Sequence, residues 1–158
     1  MRVVQGAVTT EKAAWSEILK YWGVVVAWMV VISTLSGEGF SAENTNRYLD
    51  PILRYFFPKL TPAGFVLAHS VIRKAAHLTE FFILGALAYW AARRGRAASW
   101  QPRWAASAMM VAIVYAVLDE AHQMFVPNRT GSYVDSGIDC LGALLSQIMV
   151  YLRRRRRE

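Results

Sequence analysis

In three apolar segments of this chain, acidic side chains fall in the turns nearest one end and arginines gather beyond the other. These segments run from about Arg73 to Ala92, Trp104 to Gln123 and Asp135 to Leu152. A further segment ahead of them spans about Ile18 to Leu35, with Lys20 near its start able to snorkel to a membrane boundary. At helical rise each covers about 27 to 30 Å, matching a hydrocarbon core of about 30 Å. A carboxylate inside such a core costs at least about 2 to 3 kcal/mol unless it is paired, protonated or facing a wet cavity. The segments can therefore coexist only if their acids converge while the arginines stay at the aqueous boundary. The pattern predicts an all-α fold, an integral membrane four-helix bundle. A soluble helical bundle is the competing reading, and the faces opposite the charges, apolar through Val, Leu, Ile, Ala and Trp, argue against it.

Arginine placement sets the expected orientation. Arg93, Arg94, Arg96 and Arg103 lie in the link after the second segment and Arg153 to Arg157 in the tail, whereas Phe125 to Val134 holds only Arg129. Short links rich in Lys and Arg stay cytoplasmic, so both termini are expected there. The long first link, Ser36 to Ile72, then lies outside. Its Pro51 to Val71 portion, with three prolines and Phe56, Phe57 and Phe65, reads as interfacial or partly re-entrant. Trp22, Trp90, Trp100 and Trp104 read as belt residues at the interfaces.

The same arginine clusters carry much of the +7 net charge, but they flank apolar segments without an aromatic–basic strand pattern, so no nucleic-acid partner is expected. A length of 158 residues holds one domain, 1–158. The single cysteine, Cys140, excludes an intrachain disulfide. The charged lead before Ile18 is long and Leu35-Ser36-Gly37-Glu38 offers no Ala-x-Ala cleavage site, so the first segment is expected to remain as an uncleaved helix.

With that topology the ionisable residues arrive at one depth. Arg73, His77 and Glu80 follow one another on a helix face, with Lys74 beside them. Asp119 and Gln123 share a face of the next segment, with Glu120 about 100° away. Asp135 and Asp139 begin a stripe that Gly142 and Ser146 continue. Glu80, Asp119 and Asp139 then sit roughly 6 to 10 Å inside the outer boundary. Five acids (Glu80, Asp119, Glu120, Asp135, Asp139) face three cations (Arg73, Lys74, Arg129), so a retained proton, a charged His77 or a bound cation must complete the balance. His69 and His122 are read as interfacial. Gly131, Gly142, Ala116 and Ser146 would let the third and fourth segments approach closely.

The stretch Arg73-Lys74-Ala75-Ala76-His77-Leu78-Thr79-Glu80-Phe81-Phe82-Ile83-Leu84-Gly85 resembles the first signature of VanZ-like proteins. The run Asp119-Glu120-Ala121-His122-Gln123-Met124-Phe125-Val126-Pro127-Asn128-Arg129, followed by Asp135 and Gly142, resembles the second, and Phe40-Ser41 and Asn44-Thr45 resemble an early segment of that family. The resemblance reaches from about residue 20 to 150. It implies a protein of the bacterial plasma (inner) membrane, in a family whose founding member is linked to teicoplanin resistance. It places Lys74, His77, Glu80, Glu120, Gln123, Arg129 and Asp135 at the family's polar positions, and Asp139 departs from the usual asparagine. It does not imply a settled activity or any cofactor.

Three functions fit these residues. One is recognition of membrane lipid, or of a lipid-linked cell-wall precursor, through a phosphate-bearing headgroup. Arg73, Lys74 and Arg129 would take the phosphate, and Asp119, Gln123 and Asp139 would orient polar groups. The second is an enzyme acting on such a headgroup, with His77, Glu80, Glu120 and Asp135 as acid, base or metal-assisted groups. Zinc usually takes two or more nitrogen ligands, and only His77 is well placed, so no metal set is assigned. The third is a proton- or ion-coupled carrier using the acidic layer, for which four helices without an internal repeat are few.

Overall fold

The computed structural model describes the backbone of residues 2–37, 42–96, 99–126 and 132–156, and side chains at 16–37, 45–96, 99–126 and 132–156. Among the described residues there are five α-helices and no strand: α1 Arg2–Leu35, α2 Ala42–Phe56, α3 Pro62–Ala92, α4 Pro102–Gln123 and α5 Tyr133–Arg155. The all-α expectation holds, with two differences in how the helices divide the chain.

First, three helices rather than four are long and apolar enough to cross a membrane: Ser16–Leu35 within α1, Pro62–Ala92 and Pro102–Gln123. The expected fourth segment is helical but falls short in apolarity. Its packed face is built from Asp135, Asp139, Gly142, Ser146 and Gln147, all buried, and its last turn from Arg153, Arg154 and Arg155.

Second, the long link is mostly helical. Thr61 caps α3 by accepting a hydrogen bond from the Gly64 N–H at 3.2 Å, and Pro62 occupies the first turn, where its missing N–H costs nothing. Thus α3 begins eleven residues before the expected Arg73 and runs for 31 residues, about 46 Å at helical rise. Ahead of it, α2 contains Pro51 and turns one edge inward through Leu53, while Tyr48, Ile52, Tyr55 and Phe56 stay exposed. The Arg54 guanidinium lies 4.7 Å from the Phe65 ring centre and ties α2 to the start of α3. The prolines at 58 and 62 therefore mark a helix–helix turn.

Helix α3 is the hub, touching α1, α2, α4 and α5, and its most extensive contact is with α5. The reason is local: a Cβ on Gly142 would lie 2.3 Å from the Leu78 carbonyl oxygen, so only glycine allows the two backbones to meet there, and the close approach expected between the third and fourth segments at Gly142 is made with the second instead. One turn further along, Gln147 donates to the Gly85 carbonyl at 2.9 Å. Val25, Ile32, Phe81, Leu84, Ala112, Ala116 and Ala143 fill the core around this seam.

One end of the molecule collects the arginines. There α3 stops in a turn with Arg94 at φ 52° and Gly95 at φ 65°, and a Cβ on Gly95 would strike the Tyr21 ring at 2.8 Å. Ring pairs Tyr21–Trp90 at 4.7 Å, Tyr89–Trp104 at 6.3 Å and Trp100–Tyr151 at 5.1 Å join α1, α3, α4 and α5 at the same level. The acidic residues of α3, α4 and α5 lie toward the opposite end.

Candidate functional site

The polar end is built in two tiers along the α3–α5 seam. In the first, Lys74 Nζ donates to Asp135 Oδ1 at 2.8 Å, and the Arg73 guanidinium stands 3.9 Å from Asp135 Oδ2. Beside them Glu120 Oε2 accepts the Ser132 N–H at 2.5 Å. Ser132 caps α5, so this carboxylate sits at a helix N-terminus, where the peptide dipoles favour negative charge.

In the second tier, one turn inward, His77 Nδ1 lies 3.4 Å from Asp139 Oδ1, and the Asp139 side chain is fully buried. That separation suits an ion pair better than a good hydrogen bond, and neither Asp139 oxygen has a hydrogen-bond partner among the described residues. On α4, Asp119 Oδ2 accepts from Ser36 Oγ at 2.9 Å and from Gln123 Nε2 at 2.8 Å. Asp119, Glu120 and Gln123 are all buried. The sequence-derived residues thus form three groups: Arg73, Lys74 and Asp135; His77 and Asp139; Asp119 and Gln123. Glu120 stands apart on the backbone of α5. Arg129 lies outside the described residues.

On its other side, α3 borders a cavity of about 530 Å³ enclosed with α1 and α2, within the range of roughly 300 to 1,000 Å³ typical of small-molecule sites. His69, Arg73, His77 and Glu80 line it along one stripe of α3, with Leu49 and Phe65 among its apolar walls. His77 therefore belongs to both sides, touching Asp139 across the seam and facing the cavity. Arg73 does likewise, and the Glu80 backbone is fixed by the Trp28 indole N–H, which donates to its carbonyl at 3.0 Å.

Two groups here escape a reading by segments. Ser36, 1% exposed, links the end of α1 to Asp119 and lines the cavity. Asp50 of α2 lies 2.6 Å from His69 Nε2. The i, i+4 spacing from His69 to Arg73 and on to His77 was a usable signal, since it extends the polar stripe backward. His122, also expected at an interface, is exposed. Among the described residues no group of three or more His, Cys, Asp or Glu could hold a metal ion.

Chemically the arrangement offers a guanidinium, two imidazoles and the carboxylates of Asp50 and Glu80 beside apolar walls, with Asp135 and Asp139 meeting Arg73 and His77 from the seam. A group entering the cavity would meet donors held in place by the seam. The family model described as VanZ/LLP1 matches residues 21–154, from within α1 almost to the end of α5. No curated protein and no solved structure matches the chain.

Proposed function

Because the chain belongs to the VanZ/LLP1 family and has, among its described residues, three helices long and apolar enough to cross a membrane, we propose that it is a multi-pass plasma-membrane protein that recognises a phosphate-bearing headgroup. The ligand is a membrane lipid or a lipid-linked cell-wall precursor, and Arg73 takes its phosphate inside the α1–α2–α3 cavity. One observation carries this reading: the cavity joins apolar walls to a stripe on which Arg73 stands between His69 and His77, with Glu80 and Asp50 as the carboxylates of the same lining. An amphiphile needs both, and a guanidinium matches phosphate oxygens through paired N–H donors.

In the proposed orientation α1, α3, α4 and α5 cross the bilayer, both termini are cytoplasmic and the polar end faces outward. The arginines at the ends of α3 and α5 support that orientation, and the α3–α5 seam supports counting α5 as a fourth crossing. An outward site touching a cell-wall precursor would affect teicoplanin susceptibility, in keeping with the family. Arg129 is a second candidate for the phosphate.

Native mass spectrometry of the detergent-extracted chain tests the binding. A phosphate-bearing lipid should stay bound to the wild type and be lost from Arg73→Ala; retention by that variant would remove Arg73 from the site. Cysteine labelling at 129 and 95 should mark opposite sides of the bilayer, and labelling from one side alone would overturn the orientation.

An acid–base reading has its own support in His77, which faces the cavity while Asp139 stands behind it. A carboxylate there would orient the ring. Full complementing activity in both His77→Ala and Glu80→Gln would exclude catalysis by this pair.

A further inference from the structure

At the arginine end, the outer face of α5 carries a groove of about 330 Å³ lined by Leu145, Ile148, Met149, Leu152, Arg153 and Arg156. The spacing explains it. Residues 145, 148, 149, 152 and 156 recur on one side of a helix, and Leu141 extends the stripe by a further turn. Leu141, Leu145, Ile148 and Leu152 are 46, 39, 45 and 46% exposed, so among the described residues no other helix covers this face. Arg153 and Arg156 close the stripe, and neither has a carboxylate partner among the described residues.

We propose that this groove is a binding site for an anionic phospholipid, whose acyl chain lies along the leucine stripe and whose phosphate is held by Arg153 and Arg156. Charge complementarity beside an apolar track favours this occupant. Two guanidiniums one turn apart present forked donors to one phosphate, and the stripe leading away from them through Leu152, Ile148, Leu145 and Leu141 is apolar and uninterrupted by a charge. A second copy of this chain would bring its own arginines against these, stacking like charge on like charge. The site is independent of the cavity beside α3 and rests only on α5 lying in the bilayer next to α3.

The experiment titrates short-chain phosphatidylglycerol into the full-length chain in neutral detergent, where no membrane surface potential contributes. Bound lipid is read by native mass spectrometry, with phosphatidylcholine of equal chain length and inorganic phosphate as parallel arms. Phosphatidylglycerol should bind, and Arg153→Gln/Arg156→Gln should weaken it at least about tenfold, through loss of charge-assisted hydrogen bonds to the phosphate. Ile148→Trp, which fills the groove and keeps both arginines, should also abolish binding. Arg94→Gln/Arg96→Gln removes equal charge from the same end and should leave binding unchanged.

Equal losses in the two arginine pairs would reduce the effect to bulk charge and overturn the proposal. So would equal binding of phosphatidylcholine, or binding that survives Ile148→Trp. Displacement of the lipid by millimolar inorganic phosphate would reassign the groove to a free anion. Loss of binding in Arg73→Ala alone would place the lipid in the cavity, which separates this site from the function proposed above.

Discussion

The two sides of α3 are built on opposite principles. Toward α5 the helix is packed to backbone contact at Gly142, and its polar groups are met by Asp135 and Asp139. Toward α1 and α2 it faces a cavity of about 530 Å³ lined by residues of the same motif. Arg73 and His77 touch both sides. The lesson is a division of labour: a rigid seam fixes the side chains, and an open flank gives them something to act on. Substitutions in the seam should therefore move stability first, and substitutions on the flank should move binding first.

The largest effect is expected from Gly142→Val. The first side-chain atom alone would meet the Leu78 carbonyl oxygen at 2.3 Å and the Phe82 nitrogen at 3.1 Å, both backbone atoms that cannot swing away. Overpacking of that kind costs about 3 kcal/mol or more. Thermal denaturation in detergent should show a strongly lowered midpoint, with ligand binding lost alongside. An unchanged midpoint would mean that the helices do not meet as closely as the seam requires.

Next comes the buried pair. His77→Ala leaves the Asp139 carboxylate without its neighbour at 3.4 Å, a loss of about 2 kcal/mol for a buried polar group deprived of compensation. Adding Asp139→Asn removes the charge and should recover part of that loss, so the two changes should be non-additive. Additive destabilisation would show that the residues do not interact, and His77 would then belong to the cavity alone.

How far this architecture was legible follows from the same division. The seam residues were readable because helical periodicity puts Asp135, Asp139, Gly142 and Ser146 on one stripe, and because buried charge in apolar helices must converge. The last two helices matched to within three residues for the same reason, whereas α1 starts sixteen residues ahead of the expected Ile18. Their composition also hid something: the polar face that makes α5 a good partner for α3 takes it below the apolarity of a self-sufficient span. The flank was less readable. Pro51, Pro58 and Pro62 argued against a crossing, yet Pro62 starts α3 behind the Thr61 cap and Pro51 sits within α2. The pairing of Asp50 with His69 joins two helices across a turn, and no periodicity within either one encodes it.

Arg73→Ala tests the flank. Its side chain is 47% exposed and 3.9 Å from Asp135, which keeps Lys74 at 2.8 Å. An exposed pair of this kind contributes less than about 1 kcal/mol. Stability should barely change while retention of a phosphate-bearing lipid is lost. A large drop in midpoint instead would assign Arg73 to the seam and leave the cavity without its cation.

The smallest expected effect gives the sharpest contrast, because it sits on the same helix as the largest. A Cβ on Gly137 would meet nothing within 4 Å. Gly137→Ala therefore adds no clash and restricts the unfolded chain, which should raise stability by about 0.5 kcal/mol and leave binding untouched. Five residues separate Gly137 from Gly142, yet the two are predicted to respond with opposite signs. If Gly137→Ala were as damaging as a substitution at 142, intolerance would be a general property of α5, and close approach to α3 would no longer explain it.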